Sequence, residues 1–555
     1  IEASAGTGKT YTIANLYLRL LLPLSTAADF ERPLTVDQIL VVTFTEAATA
    51  ELKARIRNRI RDARKALLLG VSDDPFLGQL LAQMSQADID AGVERLLYAE
   101  KQMDEAAIFT IHGFCQRMLS QNAFESRMLF QQEIETDEQA PLALAIKDVW
   151  RANIYPMKAE IAALVKPIWP TPEALQKELS LLQNQPDAVI QDADSGPVAA
   201  HEFDLDALMS NALSHIEQVK TLWLEQAGGI LDALTNSGIK GTFWGKRQAG
   251  VPDAVLTWAQ SNDVDLPNEL KKFNAKEHSN QLKKNGEKPQ HHFFELVAEL
   301  FDIYPRVDKI KPALMASLWQ QTKTRLSDWK QQTQKLTFTD LLTNLDQALM
   351  LPGQTEHDEN ALAVRIRQLY PLAMIDEFQD TDPVQYRIFS QVYRPAQKEV
   401  NNLGLIMIGD PKQAIYAFRG ADIYTYLAAK KEVDTIYSLA TNYRSSAAMI
   451  QSVNALFAAQ DNPFLVEGIP FVEVQDRQTQ GQFYRHGKLE SAMQFLLTQD
   501  AFSDEGVVTS AQYQIQMAQL SAEHICQTLI QAQQGEALIG AEPVRSGDIA
   551  VLVSG

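Results

Sequence analysis

Cysteine is nearly absent from this sequence: Cys115 and Cys526 are the two in 555 residues, too far apart for a paired metal knuckle. A reducing cytosol is the natural compartment for such a chain. Long apolar runs are missing as well. The most apolar early stretch, Leu16 to Leu24, is interrupted by Arg19 and Pro23 and is too short to span a bilayer or serve as a signal peptide. The chain therefore reads as soluble, with no membrane partner. Basic charge is in deficit, since 50 Lys and Arg against 70 Asp and Glu leave a net charge of −20. That sign excludes a protein that holds nucleic acid by bulk electrostatics, so any such site has to be local. There is no internal repeat and no low-complexity tract long enough to matter. The sequence opens on Ile1 rather than Met and stops at Gly555 just after a strand-like run, which reads as a fragment cut at both ends.

What is present is enough apolar material, 46% of the residues, to bury several cores, and the length predicts three or four domains. Runs rich in β-branched residues recur at Ile39 to Thr45, Ala107 to Ile111, Leu372 to Phe378, Leu403 to Ile408 and Ile549 to Val553, each leading into a polar or helical segment. Buried parallel strands of an α/β fold of the RecA-like kind read this way. Glu46 to Leu69 is predicted as a helix, with its Lys and Arg toward the C-terminal end, where the helix dipole favours them. From about Phe124 to Lys335 the texture changes to helical periodicity rich in Gln, Leu and Ala, broken by loops near Pro170, Pro186, Pro252 and Pro289. This is expected to be a mostly helical insertion.

Two motifs carry chemistry on their own. Ala3-Ser4-Ala5-Gly6-Thr7-Gly8-Lys9-Thr10 is a phosphate-binding loop leading into a helix near Tyr11. Small residues let successive N–H groups curl around an anion, the helix N-terminus adds partial positive charge, Lys9 reaches the outer phosphates of ATP, and Thr10 supplies an oxygen to Mg²⁺. Ala3 stands where the general pattern has a first Gly. At Leu372 to Asp380 an apolar strand ends in two adjacent carboxylates, of which Asp376 suits Mg²⁺ and Glu377 suits the task of deprotonating an attacking water. A bare Asp-Glu pair is commonly a solvated turn; paired with Lys9 and Thr10 it is a hydrolytic site.

Four further motifs follow in order: Val42-Thr43-Phe44-Thr45-Glu46-Ala47-Ala48, Thr110-Ile111-His112-Gly113-Phe114-Cys115, the run Ile408 to Asp422, and Thr441-Asn442-Tyr443-Arg444-Ser445. Together they resemble the ordered motif set of the UvrD/Rep helicases of superfamily 1. The wording TFTEAATAEL, TIHGFCQRML, MIDEFQDTDPVQYRIF and GDPKQAIYAFRGADI is most similar to the RecB branch, the beta subunits of exodeoxyribonuclease V. The resemblance implies that Gln413 senses the γ-phosphate, that Arg444 acts as an in-chain arginine finger, and that Tyr443 stacks on adenine. It further implies that Thr43, Phe44, His112 and Phe114 meet a DNA strand. Tyr416, Phe418 and Arg419 alternate with small residues, as a platform for unstacked bases requires. Phe418 stands where the family often has Trp. Lone aromatics on such strands are as readily core as ligand.

By the same resemblance, residues 1–123 and 336–431 form a P-loop motor domain, 124–335 its helical arm, and 432–555 the start of a second motor domain. Lys271, Lys272, Lys276, Lys283, Lys284 and Lys288, with His291 and His292 after them, give the arm a basic segment. Such a segment suits the duplex phosphates ahead of a fork; a solvated loop explains it as well. The implied function is an ATP-dependent 3′-to-5′ DNA helicase acting on duplex ends in recombinational repair. Its implied partners are single-stranded and duplex DNA, RecC-like and RecD-like subunits in a heterotrimer, and RecA through a C-terminal nuclease domain beyond these residues. A stand-alone UvrD/Rep-like helicase, or an inactive helicase-fold scaffold that only binds DNA, are the alternatives. Retention of Lys9, Thr10, Asp376, Glu377, Gln413 and Arg444 argues against the scaffold.

Overall fold

The computed structural model describes residues 1–23, 32–122, 133–183, 188–192, 196–197, 205–240, 250–278, 281–284, 286–304, 307–351, 359–394, 403–416, 421–433, 435–477, 481–495 and 509–553. They are mixed α/β and mostly helical, and the chain divides into two compact units, Ile1–Phe130 with Asp340–Gly555, and Gln131–Thr339.

The first unit is built on parallel strands. These are β1 (Glu2–Ala3), β2 (Ile39–Thr43), β3 (Ile108–Thr110), β4 (Leu372–Ile375), β5 (Gly404–Met407) and β6 (Ser438–Leu439). Four of them run β3-β2-β4-β5, with Val41 opposite Ile108, Ile39 opposite Leu372 and Leu372 opposite Gly404. β2 and β4 are apolar at every position except Thr43 and are buried throughout, which is why they read as unbroken runs rather than alternating ones. β1 lies next to the end of β5: Ala3 N–H donates to Gly409 O at 3.0 Å and Gly409 N–H donates to Ile1 O at 3.1 Å. β6 then pairs with β1, Glu2 opposite Ser438 and Ala3 opposite Leu439.

Helices pack on this sheet by their apolar stripes. α1 (Lys9–Leu21) buries Ile13, Tyr17, Leu18 and Leu21, and α2 (Glu46–Leu69) buries Leu52, Ile56 and Ile60. α2 has the predicted bounds: the Thr45 hydroxyl accepts from Ala48 N–H at 3.1 Å, and Gly70 stops the helix at φ 66°. Its cations are not where the dipole argument put them. The last turn has none, and Arg59, Arg61 and Arg64 lie mid-helix, paired with Asp74 and Glu100. Local ion pairs therefore set their position. Asp74 caps α3 (Pro75–Gln83), and α4 (Gln86–Gln102) carries Glu100. The run expected as a strand at Ile549–Val553 is irregular, with Leu552 97% exposed and no strand beside it among the described residues. The neighbouring small antiparallel sheet is made instead by Phe483–Arg485, Lys488–Leu489, Ala537–Ile539 and Glu542–Pro543.

The second unit is helical around one aromatic-rich core that includes Trp150, Trp169, Trp223, Trp258, Phe273 and Phe293. Its entry strand Glu133–Ile134 pairs with its exit strand Lys335–Leu336, so the chain enters and leaves at one place. Pro252, expected in a loop, sits in the first turn of helix Gly250–Gln260, where its missing N–H has no intrahelical partner to lose. Gly238 and Gly286 cross backbone to backbone: a Cβ on Gly238 would lie 2.3 Å from Gly286 Cα. The crossing is stitched by Lys283 N–H to Gly238 O at 2.7 Å and Gly238 N–H to Glu287 O at 2.8 Å. No helix among the described residues is long and apolar enough to cross a membrane.

Candidate nucleotide and nucleic-acid site

The phosphate loop connects β1 to α1. Gly6 and Gly8 have φ of 77° and 90°, conformations that side chains resist, and Thr7 folds back to donate from its hydroxyl to Ser4 O at 2.7 Å. Helix α1 starts with no side-chain cap and no acidic residue in its first turn, so its leading N–H groups have no anion of their own. Ala3 is buried in the β1 pairing, whereas Ser4 and Thr10 are partly exposed and Ala5 is exposed.

Opposite the loop, β4 delivers Asp376 and Glu377. Asp376 N–H donates to Val42 O at 2.9 Å, which continues the sheet to its last carboxylate. Burial above all, with the adjacent Glu377 adding to it and Lys9 opposing, pushes the Asp376 carboxyl up to about 6. Glu377 has a left-handed backbone at φ 50° and ψ 44°, a strained conformation for a residue with a Cβ and one that clusters at functional sites. The turn brings Glu377 Oε2 to 2.6 Å from Lys9 Nζ, closing an ion pair across 368 residues of sequence. The same oxygen accepts from Gln379 Nε2 at 2.8 Å.

The segment after β6 seals the loop from the other side. Asn442 Nδ2 donates to Ala5 O at 2.9 Å, Tyr443 N–H donates to Gly6 O at 2.8 Å, and Asn442 Oδ1 accepts from the N–H groups of Arg444 and Ser445. The approach is close enough that a Cβ on Gly6 would stand 2.8 Å from Arg444 Cβ. Tyr443 is half exposed, with the Arg477 guanidinium 5.3 Å over its ring. Gln413 donates from Nε2 to Asp410 Oδ2 at 2.7 Å, and Asp410 also pairs with Lys412 at 2.8 Å.

The residues expected to meet DNA divide. Phe44 and Tyr416 come together as partly exposed stacked rings, 6.4 Å between centroids and 18° between planes. His112 is partly exposed, and burial lowers its pKa. Phe114 is corrected to a core residue: fully buried, it stacks on Phe389 and meets Tyr370 edge-on, leaving no face for a base. Thr43 is buried too, its hydroxyl 2.5 Å from that of Thr49, so an internal hydrogen bond occupies it. Phe418 and Arg419 lie outside the described residues. In the second unit Lys283, Lys284 and Lys288 are exposed around the Gly238–Gly286 crossing, while Lys276 is paired with Asp302 at 2.6 Å.

Residues 1–434 match the UvrD/REP helicase N-terminal domain. The chain belongs to the UvrD/REP helicase family. Among its relatives in that family are the RecBCD enzyme subunit RecB of Escherichia coli (strain K12), 42% identical over 562 residues covering 100% of this chain and 46% of the relative. The RecBCD enzyme subunit RecB of Haemophilus influenzae (strain ATCC 51907 / DSM 11121 / KW20 / Rd) is 37% identical over 598 residues, 100% of this chain and 47% of the relative. The chain thus spans about half the length of the curated relatives it matches. As a UvrD/REP helicase it carries site residues that the motif reading quoted but gave no task. Gln379, Gly409, Asp410 and Asn442 touch the predicted site residues or their loop, and each was visible as a letter beside a predicted neighbour.

Proposed function

We propose that this chain is the ATP-hydrolysing front part of a 3′-to-5′ DNA helicase subunit that works on duplex ends in a RecBCD-like assembly. RecC-like and RecD-like partners would complete that assembly. The observation that carries the proposal is the Lys9–Glu377 ion pair at 2.6 Å, which joins the phosphate loop to the strand-end carboxylates. The residues fit a magnesium nucleotide. The uncapped start of α1, the left-handed Gly6 and Gly8 and the Lys9 ammonium suit polyphosphate oxygens, and the hard oxygen donors of Thr10 and Asp376 suit Mg²⁺. When bound, the ion would supply positive charge against the phosphate oxygens. Lys9 would exchange its carboxylate partner for a phosphate oxygen, and Arg444, with its backbone fixed by Asn442, would stabilise charge on the transferred group. Tyr443, half exposed beside Gly6, offers a face to the base. Glu377, released from Lys9, would take a proton from water at its carboxylate while Gln413 reads the outer phosphate.

Phe44 and Tyr416 supply the base-stacking surface that a sequence-tolerant motor needs, and Lys283, Lys284 and Lys288 a contact to duplex phosphates. In domain terms, 1–123 with 336–431 form the first motor domain, 124–335 the arm, and 432–555 the start of a second motor domain, whose strand β6 pairs with β1. The test is Glu377→Gln in the full-length protein. It keeps the shape and the Gln379 contact region while removing the proton acceptor, so ATP hydrolysis should fall by about 10²–10⁴-fold with nucleotide affinity little changed. Hydrolysis within a few-fold of the parent, or lost affinity at an intact rate, removes Glu377 from the chemistry.

A further inference from the structure

We infer that Gln379 is a positioning residue that locks Glu377 in register with the Asp410–Gln413 turn, and so ties water activation to the state of the phosphate-sensing glutamine. The inference rests on the reading of Glu377 as the base. Gln379 is 2% exposed and uses both ends of its carboxamide: Nε2 donates to Glu377 Oε2 at 2.8 Å, and Oε1 accepts from Asp410 N–H at 2.9 Å. A carboxylate only accepts and a backbone N–H only donates, so the amide has one workable orientation and a flip loses both bonds. Room for that orientation depends on Gly409, where a Cβ would lie 2.7 Å from Gln379 Oε1. Asp410 is equally buried, and its carboxylate accepts from Gln413 Nε2 at 2.7 Å. The result is one continuous path, Lys9 to Glu377 to Gln379 to Asp410 to Gln413.

Two features make the path matter for the rate. The Glu377 side chain is 39% exposed on a strained backbone, so burial alone does not fix it. Lys9 and Gln379 also share a single oxygen of that carboxylate, so when Lys9 turns to a phosphate, Gln379 retains its hold on Oε2. A merely structural Gln379 would satisfy the buried Asp410 N–H and nothing more.

Two variants of the full-length protein separate these roles. Gln379→Glu keeps an acceptor for Asp410 N–H but turns the donor facing Glu377 into a second anion. Gln379→Met keeps the bulk and loses both bonds. In Gln379→Glu, kcat for ATP hydrolysis should drop about 10- to 100-fold, the scale of a hydrogen bond to a charged group, with KM for ATP within about threefold, both read well below the melting temperature, which the buried second anion lowers. In nucleotide-free Gln379→Met, hydrogen exchange at the Asp410 amide should quicken by about tenfold or more, whereas Gln379→Glu keeps that amide protected. Combining Gln379→Met with Gln413→Ala should lower kcat by clearly less than the product of the two single effects, as expected for members of one network. The inference is overturned by a kcat within about threefold of the parent in both Gln379 variants, by additive losses with Gln413→Ala, by unchanged Asp410 exchange in Gln379→Met, or by rate losses that track unfolding. Glu377→Gln measured alongside separates the two readings. A normal rate there removes the base assignment and this inference together, while a dead Glu377→Gln beside normal rates in both Gln379 variants removes the inference alone.

Discussion

Phe114 sits between Phe389, 5.8 Å away and nearly parallel, and Tyr370, 6.2 Å away and edge-on, with no exposed surface. Phe114→Ala should therefore cost about 3–5 kcal/mol of stability in denaturant unfolding, the range for emptying a buried aromatic site. The folded fraction should bind single-stranded DNA as the parent does; a selective loss of binding without a loss of stability would return Phe114 to the interface. That Lys9, Asp376 and Glu377 come together was legible in the sequence because each belongs to a motif with a recognisable pattern. Phe114 was not, because a ring in a motif reads the same whether it faces a base or another ring. Gln379 stayed hidden for a different reason: Glu377 lies on its own turn, but the bond from Asp410 comes from 31 residues away.

Among the elements, the junction of α2 and α3 turns on one carboxylate. Asp74 accepts from Leu77 N–H at 3.0 Å as the cap of α3 and takes the Arg59 guanidinium at 2.8 and 2.9 Å. The Arg59 hydrogen bonds, aided by the cap, hold its pKa at about 2, below the ordinary 3.8. A depressed carboxyl pKa stabilises the fold above the unfolded value and ceases to do so as pH falls toward the folded one. Asp74→Asn should cost about 1–2 kcal/mol at pH 7 once partial exposure is discounted, and its difference from the parent should shrink between about pH 4 and pH 2 in urea melts. The lysine loop makes the second prediction at this scale. Replacing Lys283, Lys284 and Lys288 with Ala should weaken duplex binding more than single-strand binding and flatten the salt dependence by up to about 0.9 log units per lost phosphate contact. An unchanged slope leaves these lysines as solvated surface. The bounds of α2 were readable from Thr45 and Gly70, which act locally, whereas Ile549–Val553 has the composition of a strand and no strand beside it among the described residues. A strand needs a neighbour, and composition does not supply one.

For the whole molecule, the second unit has its own aromatic core and a single place of entry and exit, so residues 131–339 expressed alone should melt cooperatively with a helical circular-dichroism spectrum. A non-cooperative melt would make that core dependent on the rest of the chain. The helical character of this stretch was legible from periodicity, but the Gly238–Gly286 crossing was not, since Ser237-Gly238 and Asn285-Gly286 each read as an ordinary turn and only the contact brings the two backbones together. The narrow strand β1 has a consequence in time. Glu2 and Ala3 take their hydrogen-bonding partners from Gly409 and from Ser438 and Leu439, while the whole second unit lies between them in sequence. At about 5–20 residues per second, roughly 20–90 s separate the emergence of Ala3 from that of Leu439 on the ribosome. Through that interval the phosphate loop has no sheet to hang from. The nascent protein is consequently a finished second unit joined to an unfinished first one, and the loop that carries Lys9 waits, open to a chaperone, until the far end of its own sheet is made.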